Sequence, residues 1–184
     1  MEKSKYVHLL GEGSFGVAVK IVRENHVLKI TSDAKEYEIA QQLIGRKNKN
    51  LVDIYDCYKV GQTFYIWQEY LEKGPACLNL VLFANTFKKI LADCINMEFP
   101  SRGLAPFWAG LEYIKEHNEN FIRCALNKFR NSLQAPVYVD MFLDTCQAIQ
   151  ELNAIDKKAY IDLNGCNIGF TNCGKMKYFD LSKD

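Results

Sequence analysis

The chain has 184 residues, 48% of them hydrophobic and 24% charged, with a formal net charge of +1. This composition excludes a disordered chain and suits one globular domain or two tightly joined lobes. The near-neutral balance gives no electrostatic reason to expect nucleic acid, and no apolar run reaches the roughly 18 residues of a membrane span.

The N-terminal residues 1–6 are polar, so no cleavable apolar signal is expected. Residues 6–31 read as three strands. Tyr6–Leu10 leads into a glycine-rich turn, and Val17, Val19 and Ile21 then alternate with Ala18, Lys20 and Val22. Arg23–His26 is a polar turn, and Val27–Ile30 returns. Thr31, Ser32 and Asp33 are N-cap residues for a helix over Ala34–Gly45. Leu51–Val60 and Thr63–Leu71 form a second hairpin around Gly61, and Glu72–Pro75 breaks the chain at a lobe boundary. From Leu78 to about Leu152 the sequence is helical in character. Its last helix, near Val137–Asn153, has Phe142, Cys146, Ile149 and Leu152 on one face. Short strands follow at Ile168–Phe170 and Met176–Phe179. The expectation is an α+β chain, with a small antiparallel sheet and one helix over 1–74 and a mostly helical part over 75–184.

Seven scattered cysteines with no Cys-x-x-Cys pair favour reduced thiols, and so the cytosol of the protein's own cell or of a host. The three histidines have no ligand spacing that would make zinc or a His-based triad.

The chemistry sits at the two ends. Gly11-Glu12-Gly13-Ser14-Phe15-Gly16 lies between strands, so it is not a Rossmann turn, and it lacks the Lys-Ser/Thr ending of a Walker loop. Such a turn can lay backbone N–H groups over phosphates, because no Cβ blocks the approach. Two lysines compete for the phosphate beneath it. Lys20 lies on the strand leaving the turn and Lys29 on the returning strand, and the choice falls on Lys29. On the next helix Glu36 shares the apolar face of Ile39, Ala40 and Leu43, whereas Glu38 lies about 200° away. A glutamate on an apolar face calls for a partner, so Lys29–Glu36 is the expected ion pair. Near the C-terminus Asp162 is followed by Asn167, five residues on, and by Asp180. Asn and Asp oxygens are hard ligands that suit Mg²⁺ held against phosphates, and Asp162 is placed to accept a proton from an attacking hydroxyl.

On these residues the chain resembles the protein-kinase-like superfamily. The Gly11–Gly16 turn is similar to that family's phosphate-covering loop, and Tyr160–Asn167 to its catalytic loop. Asp180-Leu181-Ser182 stands where the family has Asp-Phe-Gly, and Gln68–Leu71 looks like the hinge, with Gln68 as gatekeeper. The resemblance implies a minimal two-lobe fold and a Ser/Thr-type kinase using ATP and Mg²⁺. Lys29, held by Glu36, would grip the α/β-phosphates, Asn167 and Asp180 would bind metal, and Asp162 would orient the acceptor. Gly11, Gly13, Ser14, Gly16, Ala18, Val27, Glu69 and Leu71 would line the nucleotide.

The departures from the family pattern are specific. Ile161 replaces the Arg before the catalytic Asp, Asn164 replaces the Lys two residues after it, and only seven residues separate Lys29 from Glu36. The activation loop and peptide-binding helices have no counterpart, as in short effector or phage kinases. A protein substrate is expected, with the helical insertion at 78–135 offering a surface to an activating or host protein. The alternatives are a small-molecule phosphotransferase, since Asp162-Leu163-Asn164 resembles theirs, and a binding module acting by occupying a partner.

Overall fold

The computed structural model describes residues 7–13 and 15–183, the last two by backbone alone. Tyr6 and Ser14 lie outside the described residues. The described residues are α+β, with a five-stranded antiparallel sheet, two two-stranded sheets and five α-helices.

Strands β1 (Val7–Gly13), β2 (Gly16–Ile21), β3 (His26–Thr31), β4 (Ile54–Val60) and β5 (Thr63–Glu69) form the large sheet, in the order β1-β2-β3-β5-β4. The glycine segment is less of a loop than its composition suggests. Gly11 and Gly13 belong to β1, opposite Ala18 and Gly16, and a bulge between Leu9 and Gly11 absorbs the irregularity. The β4–β5 hairpin turns tightly at Gly61, whose φ of +62° suits a residue without Cβ. Its first strand begins at Ile54 rather than Leu51, because Leu51 and Val52 pair instead with Tyr178.

Helix α1 (Ala34–Leu43) starts at Asp33, whose carboxylate accepts the N–H groups of Lys35 and Glu36 at 2.8 and 3.3 Å. It ends two residues short of Gly45. Glu36, Ile39, Ala40 and Leu43 form its buried face, and Glu38 is exposed.

Helices α2 (Leu80–Met97), α3 (Pro106–Lys115), α4 (Glu119–Ser132) and α5 (Pro136–Ile155) make the second layer. Proline opens α3 and α5, at the position where its missing N–H costs nothing. Asn79 and Asn118 cap α2 and α4 through their side chains. Phe83, Phe87, Phe121, Phe129 and Phe142 are fully buried where these helices meet. Most of the aromatic residues of the insertion are thus core, while Trp108 keeps 45% of its surface exposed. Lys128 is engaged by Glu98 at 2.8 Å, and Arg123 donates to Asn120.

After α5 come β6 (Ala159–Ile161), a 3₁₀ turn (Gly165–Asn167), β7 (Ile168–Phe170), β8 (Met176–Tyr178) and β9 (Leu181–Lys183). β7 pairs with β8, and β6 with β9. The β6–β9 pair went unforeseen, since three residues are too few to show a period of two. It draws the segment after Asp180 back against the segment before Asp162. The layers join where Glu72 bridges Phe170 through bonds of 2.7 and 2.9 Å, and where Tyr178 and Asn50 meet at 2.9 Å. Among the described residues no helix is long and apolar enough to cross a membrane.

Candidate functional site

Lys29 is the centre of the site. It lies in register with Ala18 on β2 and Ile66 on β5, on the sheet face that looks toward α1. Its ammonium donates to the carboxylate of Glu36 and, at 2.5 Å, to Oδ1 of Asp180, 151 residues away in sequence. One cation thus joins the sheet, the helix and the segment after β8. Lys20 is elsewhere, with its ammonium 3.3 Å from the centre of the Tyr70 ring. The separation of seven between Lys29 and Glu36 suffices because β3 runs only two residues past Lys29, and Asp33 starts the helix at once.

The electrostatics follow from burial. Burial pushes the Glu36 carboxyl up to about 7, against the pull of Lys29. Burial also works against the Lys29 charge, but Glu36 and Asp180 outweigh it, and its pKa is raised. Asp180 adopts φ +63°, the left-handed region that costs a non-glycine residue of order 1 kcal/mol. The Lys29 bond and the neighbouring β6–β9 ladder hold it there.

The second cluster is the turn before β7. Asp162 is exposed and Asn167 is 8% exposed. The Asn167 amide donates to Oδ2 of Asp162 at 2.9 Å and to its carbonyl at 3.2 Å. Asn164, where a lysine was the family expectation, spends its side-chain oxygen on the Cys166 N–H at 3.1 Å and stabilises the turn. Gly165 permits close packing, since a Cβ there would lie 2.6 Å from the backbone of Leu80 and Val81 at the start of α2.

The glycines divide by role. A Cβ at Gly16 would sit 1.9 Å from the Ile30 carbonyl oxygen, so Gly16 is required by the sheet. At Gly11 and Gly13 a Cβ would meet nothing within 4 Å, so the backbone there faces open space that a ligand can enter. Val27, paired with Gln68, is 4% exposed, and Ala18 is half-buried. Gln68 is itself buried, beside a small cavity lined by Glu36, Ile39, Leu43, Asp180 and Leu181.

Glu69 brings in a residue that the sequence did not flag. Lys177 of β8, 5% exposed, donates to Glu69 at 2.7 Å and pairs with Asp53 at 3.1 Å. The Glu69 N–H donates to the Asp53 carbonyl at 2.9 Å. This triad, buried at Lys177 and half-buried at Glu69 and Asp53, ties the end of β5 to the strand that leads to Asp180. Nothing in the spacing of three residues so far apart signals it. The exit from β5 then runs through half-buried Leu71, whose side chain closes on Gly169: a Cβ there would lie 2.5 Å from the Cβ of Leu71.

Among the described residues no three His, Cys, Asp or Glu side chains converge as a metal-binding group. A divalent ion would take its protein ligands from Asn167 and Asp180. Their fit to Mg²⁺ is chemical. Both offer hard oxygens, and the Asn167 nitrogen is committed to Asp162, which leaves its side-chain oxygen for the ion. A cation with only two protein ligands needs further oxygens from a phosphate substrate. The chain matches no protein-family model and no curated protein sequence.

Proposed function

We propose that this protein is an ATP-dependent phosphotransferase of the protein-kinase-like superfamily, with a minimal two-lobe fold and a Ser or Thr hydroxyl of a protein as acceptor. The observation that carries the reading is the bond of Lys29 to both Glu36 and Asp180. A half-buried lysine held between two carboxylates from distant parts of the chain is poised to exchange one of them for phosphate oxygens.

In this reading the adenine lies between Val27 and Ala18 on one side and the backbone of Glu69–Leu71 at its edge. The open backbone of Gly11 and Gly13 covers the phosphates. Lys29 binds the α- and β-phosphate oxygens while Glu36 fixes its position, so the cation adds attraction without reorganising. Bound Mg²⁺, held by Asn167 and Asp180, would neutralise charge on the β- and γ-phosphates. Asp162, aligned by the Asn167 amide, accepts the proton of the acceptor hydroxyl as that oxygen attacks the γ-phosphorus in line. The products are ADP and a phosphorylated acceptor.

Asn164 supports a second reading, transfer to a small-molecule hydroxyl. Its side chain caps the turn, so the catalytic loop lacks the cation that protein kinases place there. The test is a thermal-shift titration with Mg·ATP followed by a transfer assay. Wild type should be stabilised and should label an acceptor, and Lys29→Met should lose both. An Asp162→Ala protein that binds Mg·ATP as wild type does but transfers nothing would support the role of Asp162. No stabilisation of wild type would contradict the reading.

A further inference from the structure

The large sheet has two faces, and only one is accounted for. Successive strand residues point to opposite sides, so the register that directs Ala18, Lys29 and Ile66 inward sends their neighbours outward. Those neighbours are Val17 and Val19 on β2, Leu28 and Ile30 on β3, and Tyr65 and Trp67 on β5. All six are apolar or aromatic, all are half-buried by one another, and they run across three adjacent strands. The face continues onto both edges. Leu9, opposite Val19, is 65% exposed. Tyr58, stacked on Tyr65 with ring centres 4.9 Å apart, is 41% exposed. The sheet's helix contacts come from α1, against β4 and β5, on the inward side where Tyr37 stacks on Phe64. Among the described residues no helix packs across the outward face.

An antiparallel sheet that meets water on one side normally alternates apolar with polar residues. This one keeps apolar residues on its outward face. The central positions carry no charge; of the acidic residues in register with the face, Glu12 and Asp56 lie on the edge strands, and Glu69, at the end of β5 opposite His26, is engaged by Lys177. An uncharged centre has nothing to select a charged partner and nothing to repel its own copy. Five strands spaced about 4.8 Å apart and about 20 Å long present roughly 400 Å² of sheet. Two copies with their side-chain relief would bury on the order of 1,000 Å², the lower bound for a specific interface.

We infer that this outward face is a self-association surface, on which a second copy of the chain packs sheet against sheet to form a weak symmetric dimer. The geometry is that of two aligned sheets about 10 Å apart, with Trp67 and Val19 near the middle. The inference is independent of the proposed catalysis, because these side chains point away from Lys29.

Sedimentation equilibrium from about 1 to about 200 μM protein tests it, with a dissociation constant on the order of tens of micromolar expected. The wild-type mass should rise from 21.2 kDa toward twice that value. Val19→Lys and Trp67→Lys should stay monomeric throughout while keeping the wild-type circular dichroism. If either fails to fold, Leu9→Lys, at the exposed edge, takes its place and should weaken association at least several-fold. Wild type that stays monomeric at the highest concentration overturns the inference. So does association that the folded lysine variants leave unchanged.

Discussion

At the scale of single residues, the Lys29, Glu36 and Asp180 side chains and one backbone angle define the site. Asp180 combines a carboxylate bonded to Lys29 with a φ of +63°. Asparagine tolerates that conformation better than alanine does. Asp180→Asn should therefore keep the wild-type melting temperature more closely than Asp180→Ala, while both lose phosphate transfer. Equal activity in Asp180→Asn and wild type would remove Asp180 from the metal role.

Glu36 supplies a pH signature. Its folded pKa of about 7 lies above the unfolded value of 4.5. Between those values the folded state binds more protons than the unfolded state, so the Glu36 contribution to stability falls as pH rises from 4.5 to 7. In Glu36→Gln that component should be absent, which urea midpoints at pH 5 and pH 7.5 will register as a flatter dependence than wild type. An unchanged slope would mean that Glu36 does not titrate there.

Much of this cluster was legible in the sequence. Glu36 was distinguished from Glu38 by the helical period alone, and Lys29 from Lys20 by strand order. The Lys29–Asp180 bond was not legible as a contact, because it depends on how 151 intervening residues return the chain.

At the scale of elements, the junction between β5 and β8 deserves its own test. Lys177 is buried between Glu69 and Asp53. Glu69 and Asp53 keep part of their surface in water, so losing the Lys177 bonds costs less than breaking a fully buried pair, about 1–3 kcal/mol. Lys177→Met should lower stability by that order, and Lys177→Met combined with Glu69→Gln should recover part of it. Chemical denaturation measures both, and a double variant no more stable than the single one would refute the coupling. The glycine segment shows how an element can be misjudged from composition. Three glycines suggest a turn over Gly11–Gly16, yet two of them pair within β1, and Gly16 is fixed by its approach to Ile30. The strands β6 and β9 escaped notice for a different reason. Each has three residues, and their stability comes from pairing with each other rather than from local pattern.

At the scale of the whole molecule, the two ends of the chain meet through the Lys29–Asp180 bond, and the helices between them build the layer that carries Asp162 and Asn167. Most aromatic side chains of the insertion over 78–135 lie in the core, as expected for a helical segment so rich in them, and Trp108 stays exposed. The sequence could not show which of them remain at the surface, since a buried and an exposed aromatic look alike until the packing partners are known. It could show the alternation of Val17, Val19 and Ile21. What it could not show was that the opposite face of the same strands, which carries Ala18, Lys29 and Ile66, is already occupied by α1 and the site. The measurement that bears most directly on the central claim is transfer of radiolabelled phosphate from ATP with Mg²⁺, wild type against Asp180→Ala, alone and in a cell lysate. The account predicts a labelled protein band that requires Asp180. Labelling that persists in Asp180→Ala, or none in wild type under any condition, would contradict it.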